Sequence, residues 1–174
     1  LNIGILIEEI IISLNKYKDK FELIIVNDAS IDKTLAVITQ SIELHRNKIK
    51  IINNTENLGQ SFSLVKGIKK SKYNTIVTLD GDLQNNPKDI VLLLDKYFLE
   101  KKYSLIGGIR NKRKDSFIKI SSSKVANFIR NKILNDDCID TGCSLKVFDK
   151  DVFMNLPFFN GIHRFLPSLF TGYG

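Results

Sequence analysis

Residues 75–101 read TIVTLDGDLQNNPKDIVLLLDKYFLEK, and this stretch decides the fold. Thr75-Ile76-Val77-Thr78-Leu79 is a short apolar run, as a buried parallel strand would be. It stops at Asp80-Gly81-Asp82. Pro87 then opens a helix at a position where proline is tolerated, since the first N–H groups of a helix have no helical partner. A buried strand, a polar exit and a helix make one step of an α/β fold.

The same step repeats outward in both directions. Apolar spacing predicts helices over residues 3–17, 30–46, 58–71, 87–101 and 117–134. Short apolar runs predict strands over residues 22–26, 48–53, 75–79, 103–107 and 144–148, with a short helix after Asp149. Ser30 or Asp32 is the expected cap of the second helix. This alternation predicts an α/β domain with a mostly parallel sheet flanked by helices. Ligands of such sheets sit beyond the carboxyl ends of the strands. Four polar or glycine-bearing exits lie there: Asn27-Asp28, Asn53-Asn54, Asp80-Gly81-Asp82 and Gly107-Gly108.

The remaining composition fits one globular domain. The chain has 174 residues, 43% hydrophobic and 26% charged, which excludes a disordered tail. No apolar run approaches the ~20 residues that cross a bilayer. Cys138 and Cys143 are too few for a disulfide framework or a zinc site. The first residues, Leu1-Asn2-Ile3-Gly4, lack the start Met and basic n-region of a signal peptide. They, and the final Thr171-Gly172-Tyr173-Gly174, read as the ends of a domain cut on both sides.

The net charge is +7, which suggests an anionic partner such as nucleic acid, a phosphorylated molecule or a membrane surface. The surplus is local. Residues 110–132 hold Arg110, Lys112, Arg113, Lys114, Lys119, Lys124, Arg130 and Lys132 against one acid, Asp115, and the rest of the chain is neutral. The run follows the Gly107-Gly108 exit, on the ligand side of the sheet. Arg110 and Arg113 could grip phosphate through their planar forks, where an ordinary charge run would only solvate a helix face.

Asp80 and Asp82 are the sharpest candidates. Gly81 allows a tight turn that aims both acids at one point. Two close carboxylates repel, so a cation between them keeps both ionised. Mg²⁺ or Mn²⁺ fits, being held by one or two carboxylates plus substrate phosphates. The alternative is a plain Asp-Gly turn. Asp28 could accept hydrogen bonds from a nucleobase or ribose, or it could simply cap the next helix. Asn57-Leu58-Gly59-Gln60 could host an anion at a helix start, or only shape a turn. Asp140, in Asp140-Thr141-Gly142-Cys143-Ser144, could contact an acceptor or act as a base. Cys143 has no nearby His and reads as packing. His45 reads as surface, and His163-Arg164 as an interfacial segment or a site wall.

Together these segments resemble family 2 glycosyltransferases of the GT-A fold, in the dolichyl-phosphate mannose synthase-like and polyprenyl-phosphate branch. Ile24-Ile25-Val26-Asn27-Asp28-Ala29-Ser30-Ile31-Asp32-Lys33-Thr34 is similar to the family's acid-bearing first segment. Asn57-Leu58-Gly59 is similar to its N-x-G element. Leu79-Asp80-Gly81-Asp82-Leu83-Gln84-Asn85-Asn86-Pro87 is similar to its D-x-D-L-Q-x-x-P signature. Gly108-Ile109-Arg110-Asn111-Lys112-Arg113, Asp140-Thr141-Gly142-Cys143-Ser144-Leu145 and His163-Arg164-Phe165-Leu166-Pro167 resemble its later elements. The order covers essentially the whole chain.

The resemblance implies an inverting transfer of a sugar from a nucleoside-diphosphate sugar to a polyprenyl phosphate, at the cytoplasmic face of a membrane. It implies that Asp28 contacts the nucleobase and that Asp80 and Asp82 hold the donor through Mg²⁺ or Mn²⁺, with Gln84 close by. It places Arg110 and Arg113 on phosphate and Asp140 near the acceptor, with Asn57 and Gly59 at the donor site. A lipid phosphate is already an anion, so positioning and charge neutralisation would carry the reaction. The family also starts with a strand ending in Y-N-E, which has no counterpart ahead of residue 3, and Asn27 stands where many members carry an acid. Transfer to a glycan hydroxyl is the competing activity, with Asp140 as base. A nucleic-acid binder is disfavoured, because only Phe117 and Phe128 interleave the basic run.

Overall fold

The computed structural model describes residues 2–18, 20–45, 47–100, 103–109 and 140–173. Helix α1 (Asn2–Ser13) tightens into a 3₁₀ turn at Leu14–Tyr17. There follow β1 (Leu23–Asn27), α2 (Thr34–Leu44), β2 (Ile49–Asn53) and α3 (Gln60–Lys70). Then come β3 (Thr75–Thr78), α4 (Lys88–Leu99) and β4 (Leu105–Gly107). The remaining described elements are β5 (Lys146–Asp149), α5 (Lys150–Met154) and α6 (Ile162–Tyr173). The expected helix over residues 117–134 and the basic run over residues 110–132 lie outside the described residues.

The alternation yields an α/β fold, with strand directions that the pattern alone does not reveal. β1 and β2 pair in parallel, from Leu23 opposite Ile49 to Asn27 opposite Asn53. β5 lies between β3 and β4 and runs antiparallel to both. β3 and β4 are therefore parallel to each other. An apolar run reads the same in either direction, so the antiparallel centre of this second set was not legible in the periodicity. β1 and β3 are not paired. A cavity of about 1040 Å³ lies between them, lined by Leu23, Ile24 and Val26 on one side and Ile76 and Val77 on the other.

Both faces of β3 and β5 are covered, which is why their side chains are apolar in succession. Val147 packs with Leu6, Ile10, Leu14, Ile90 and Leu94, a core supplied by α1 and α4. Its neighbour Phe148 faces the opposite core, with Ile68, Ile76, Phe153, Ile162, Leu166 and Phe170. A third cluster, Ile7, Ile38 and Ile49, joins α1 and α2 to β2. α3 approaches β1 closely: a Cβ on Gly67 would lie 3.1 Å from Val26 Cγ2.

Two local signals resolve as follows. Lys33 stands at the cap position of α2 and the helix has no side-chain cap, so neither Ser30 nor Asp32 caps it; Asp32, one residue earlier, accepts the Thr34 N–H at 2.9 Å. Asp149 caps α5 by accepting the N–H groups of Asp151 and Val152. α6 was not among the expected elements; it carries Pro167 inside it, where a proline removes one backbone bond. Ile162, Leu166 and Phe170 recur at helical spacing and are at most 4% exposed. Burial of that face outweighs the missing backbone bond.

Candidate active site

The strand ends gather the acids that the sequence singles out. Asp28 follows β1, and its two oxygens are occupied by the protein itself. Oδ1 accepts from Asn54 Nδ2 at 2.8 Å and from the Leu58 N–H at 2.9 Å, while Oδ2 accepts the Gly59 N–H at 2.8 Å. Burial pushes the Asp28 carboxyl up, but these hydrogen bonds outweigh it and hold it below the usual range. Asp28 thus anchors the loop before α3 rather than the start of α2. Gly59 completes that loop at φ 85°, a left-handed conformation that favours glycine.

Asp28, Asn27, Ser30, Asp32, Thr34 and Gly81 line a second cavity of about 430 Å³. Asn57 and Gln84 are exposed beside their respective turns.

Asp80 and Asp82 sit at the exit of β3. Ser144, one of the residues whose role the sequence did not disclose, organises this exit. Its Oγ accepts the Asp80 N–H at 3.1 Å and Asn85 Nδ2 at 3.0 Å, and its carbonyl accepts Thr78 Oγ1 at 2.6 Å. Cys143 is 2% exposed and its thiol donates to Asn85 Oδ1 at 3.3 Å. It is a packing residue that also holds the turn.

Asp82 Oδ1 accepts the Gln84 N–H at 3.0 Å. Asp80 Oδ1 accepts Gln60 Nε2 at 2.8 Å. Among the described residues nothing donates to the second oxygen of either acid. Leu83 (φ 63°) and Ala29 (φ 57°) adopt left-handed backbone conformations, each directly after a site acid. Such strain persists where surrounding contacts over-determine the chain.

The Asp140 turn meets the same exit through Ser144. Asp140 is buried, 6% exposed, and its carbonyl accepts the Cys143 N–H at 3.2 Å. Lys146, 4% exposed, donates from Nζ to the carbonyls of Thr141 and Cys143. The buried ammonium therefore braces the turn that carries Asp140. Lys146, His163, Arg164, Gln60 and Asp80 line the polar end of the large cavity.

His163 bonds Ser61 and Arg164. Burial and the Arg164 charge push its pKa down, against an upward pull from Asp80. His45 is a surface residue at the end of α2, paired with Glu8 at 2.7 Å. Arg110 and Arg113 lie outside the described residues. Ser61 and Lys146 were missed as site residues, and Gln60 entered only as the last residue of the candidate element Asn57-Leu58-Gly59-Gln60. The only available signal was their position beside Gly59 and in the last strand.

A hard divalent ion takes oxygen ligands and keeps several positions for water and substrate phosphates. The unshared oxygens of Asp80 and Asp82 fit that demand. Among the described residues no group of three or more His, Cys, Asp or Glu side chains gathers. A metal here would draw its remaining ligands from substrate and water.

Residues 5–156 match the model of the Glycosyl transferase family 2, and the chain belongs to that family. It is 29% identical over 171 residues to the dodecaprenyl-phosphate galacturonate synthase of Rhizobium johnstonii, covering 98% of this chain and 51% of that protein. It is 30% identical over 151 residues to the undecaprenyl-phosphate 4-deoxy-4-formamido-L-arabinose transferase of Photorhabdus laumondii, covering 87% and 46%. The chain spans about half the length of the curated relatives it matches.

A mannosyltransferase from Pyrobaculum calidifontis, PcManGT, solved in complex with GDP-Man and Mn2+, matches with a TM-score of 0.60 at 18% identity. The match covers 90% of this chain and 44% of that one. The fold is GT-A. Among the described residues no helix is long and apolar enough to cross a membrane.

Proposed function

We propose that this chain is the GT-A core of an inverting enzyme that moves a sugar from a nucleoside-diphosphate sugar to a polyprenyl phosphate. The observation that carries this reading is the β3 exit. Asp80 and Asp82 each keep one carboxylate oxygen that no described residue bonds, and Gly81 between them lines both cavities. Two acids at a strand end with free oxygens suit a donor diphosphate brought in with Mg²⁺ or Mn²⁺. That ion would supply charge neutralisation for the leaving diphosphate.

The chain's own residues hold the parts in place. Asp28 organises the loop at Asn57 and Gly59 and borders the smaller cavity, which is the place for the nucleoside. Gln84 lies next to the metal-side acids. Asp140, in the turn that leads to Ser144, is assigned to the acceptor, and Arg110 and Arg113 are assigned to phosphate. The acceptor oxygen is an anion at neutral pH, so positioning and electrostatics do most of the work. The relatives named above carry polyprenyl phosphates in their names, which supports the acceptor class. It also suits work at a membrane surface, and the cytoplasmic face is part of this proposal.

The cavity between β1 and β3 supports the reading of residues 1–174 as a single truncated domain. Each of those strands has one edge turned to a space wide enough to line with apolar side chains, as a further strand would.

The test is a donor panel with Mg²⁺ or Mn²⁺ on the full-length protein. Lipid phosphates and free sugars are offered as separate acceptors. Metal-dependent release of nucleoside diphosphate with a lipid phosphate is the expected result. Transfer only to free sugars would replace the acceptor class.

A further inference from the structure

The first turns of α3 and α6 meet in one joint. Ser61, second residue of α3, is 1% exposed. Its Oγ accepts the Gly161 N–H at 2.8 Å and lies 2.9 Å from His163 Nδ1. Arg164 Nε donates to His163 Nε2 at 3.3 Å. Nε2 therefore presents its lone pair, and the single proton of a neutral imidazole is on Nδ1. It follows that Nδ1–H donates to Ser61 Oγ. One residue before Ser61, Gln60 donates to Asp80 Oδ1.

We propose that His163 is a positioning residue for the donor site. Its Nδ1–H holds Ser61, the first turn of α3 keeps Gln60 on Asp80 Oδ1, and Asp80 Oδ2 is left to the ligand. This rests on the reading of Asp80 as a donor-site acid. Two features make the joint one of orientation rather than adhesion. The start of α3 has no side-chain cap of its own at Gly59, so the direction of its first turn is set from outside. Asp28 sets it from the β1 side and Ser61 from the α6 side. α6 meanwhile is anchored by Ile162 and Leu166, each 1% exposed, so its attachment does not depend on the imidazole.

The full-length protein is compared with its His163→Ala and His163→Asn variants. The amide nitrogen of asparagine reaches the position of Nδ1 and retains the donor, whereas alanine removes it. The readouts are Mn²⁺ affinity in the presence of saturating nucleoside diphosphate, KM and kcat for the donor, and the urea midpoint. The expected result is about a tenfold loss of Mn²⁺ affinity in His163→Ala. The His163→Asn variant should lie within about twofold of the parent, with like urea midpoints for all three. Unchanged Mn²⁺ affinity in His163→Ala, or equal losses in both variants, overturns the proposal.

If the parent itself binds no Mn²⁺ even with nucleoside diphosphate present, the Asp80 reading fails instead, and amide exchange at Ser63 decides the joint. Faster exchange in His163→Ala than in His163→Asn supports the joint, and equal exchange overturns it.

Discussion

The carboxylate of Asp28, at the end of β1, accepts the backbone N–H of Gly59, at the start of α3, at 2.8 Å. A residue that reads as a helix cap or a nucleobase contact thus also closes a loop 31 positions away. Hydrogen bonds to a charged acceptor contribute about 1.5–3 kcal/mol each in favourable settings, and Asp28 is only partly buried. Asp28→Ala should destabilise the domain by about 2 kcal/mol in urea unfolding, with Asp28→Asn between the two. The sign with pH follows. The folded pKa is depressed, so the contribution is complete above the unfolded value of about 3.9. It is lost as pH falls through the folded pKa. A wild-type minus Asp28→Ala difference that stays flat below pH 4 would sink this account.

Asp80→Ala and Asp82→Ala each remove an acid at the β3 exit with one oxygen that no described residue bonds. Donor turnover by the full-length protein should fall by about 100-fold or more in either variant. Chelation of divalent ions should reduce the parent to the same level. Nucleoside-diphosphate release measures both. Turnover by Asp82→Ala at the parent rate removes the metal assignment.

Asp140 separates the two acceptor classes. A lipid phosphate needs no strong base, so Asp140→Asn should retain more than about one tenth of kcat. A hydroxyl acceptor needs one, and the loss would then reach ~10²–10⁴. Single-turnover rates with a saturating acceptor give the answer.

Phe148 is 0% exposed and lies against Phe153 at 5.5 Å and Phe170 at 5.4 Å between ring centres. Phe148→Ala should cost about 3–5 kcal/mol. Ile31, 104% exposed, provides the contrast, and Ile31→Ala should stay within about 0.5 kcal/mol. Urea midpoints of the two variants test the assignment of the core.

The cavity between β1 and β3 exposes apolar strand edges. The 174-residue chain should bind an apolar fluorescent dye. A longer chain carrying a further apolar strand ahead of Leu1 should bind less dye and melt higher. Equal dye binding by both would show that no added strand fills the cavity.

Much of this molecule was legible in one dimension. Strand exits at Asn27-Asp28 and Asp80-Gly81-Asp82 could be placed because a buried apolar run followed by acids is a local pattern. Ser61 was invisible as a site residue, being an ordinary polar residue at a helix start. α6 was not read from the sequence, and the burial of Ile162, Leu166 and Phe170 that holds it around Pro167 is not local. Lys146 lies within the expected last strand, and its burial on the carbonyls of the turn before it is not a local property.

The sequence by itself determined most of the described elements, though not α6, together with the acids at their ends and membership of a glycosyl transferase family, because periodicity and motif order are properties of neighbouring residues. Only the tertiary structure decided that β5 runs antiparallel between β3 and β4. It also decided that Asp28 holds Gly59 and that His163 meets Ser61 across 102 positions of chain. The physical reason is common to all three. Strand pairing and side-chain hydrogen bonds depend on distance in space, and that distance is set by packing the apolar faces on both sides of the sheet.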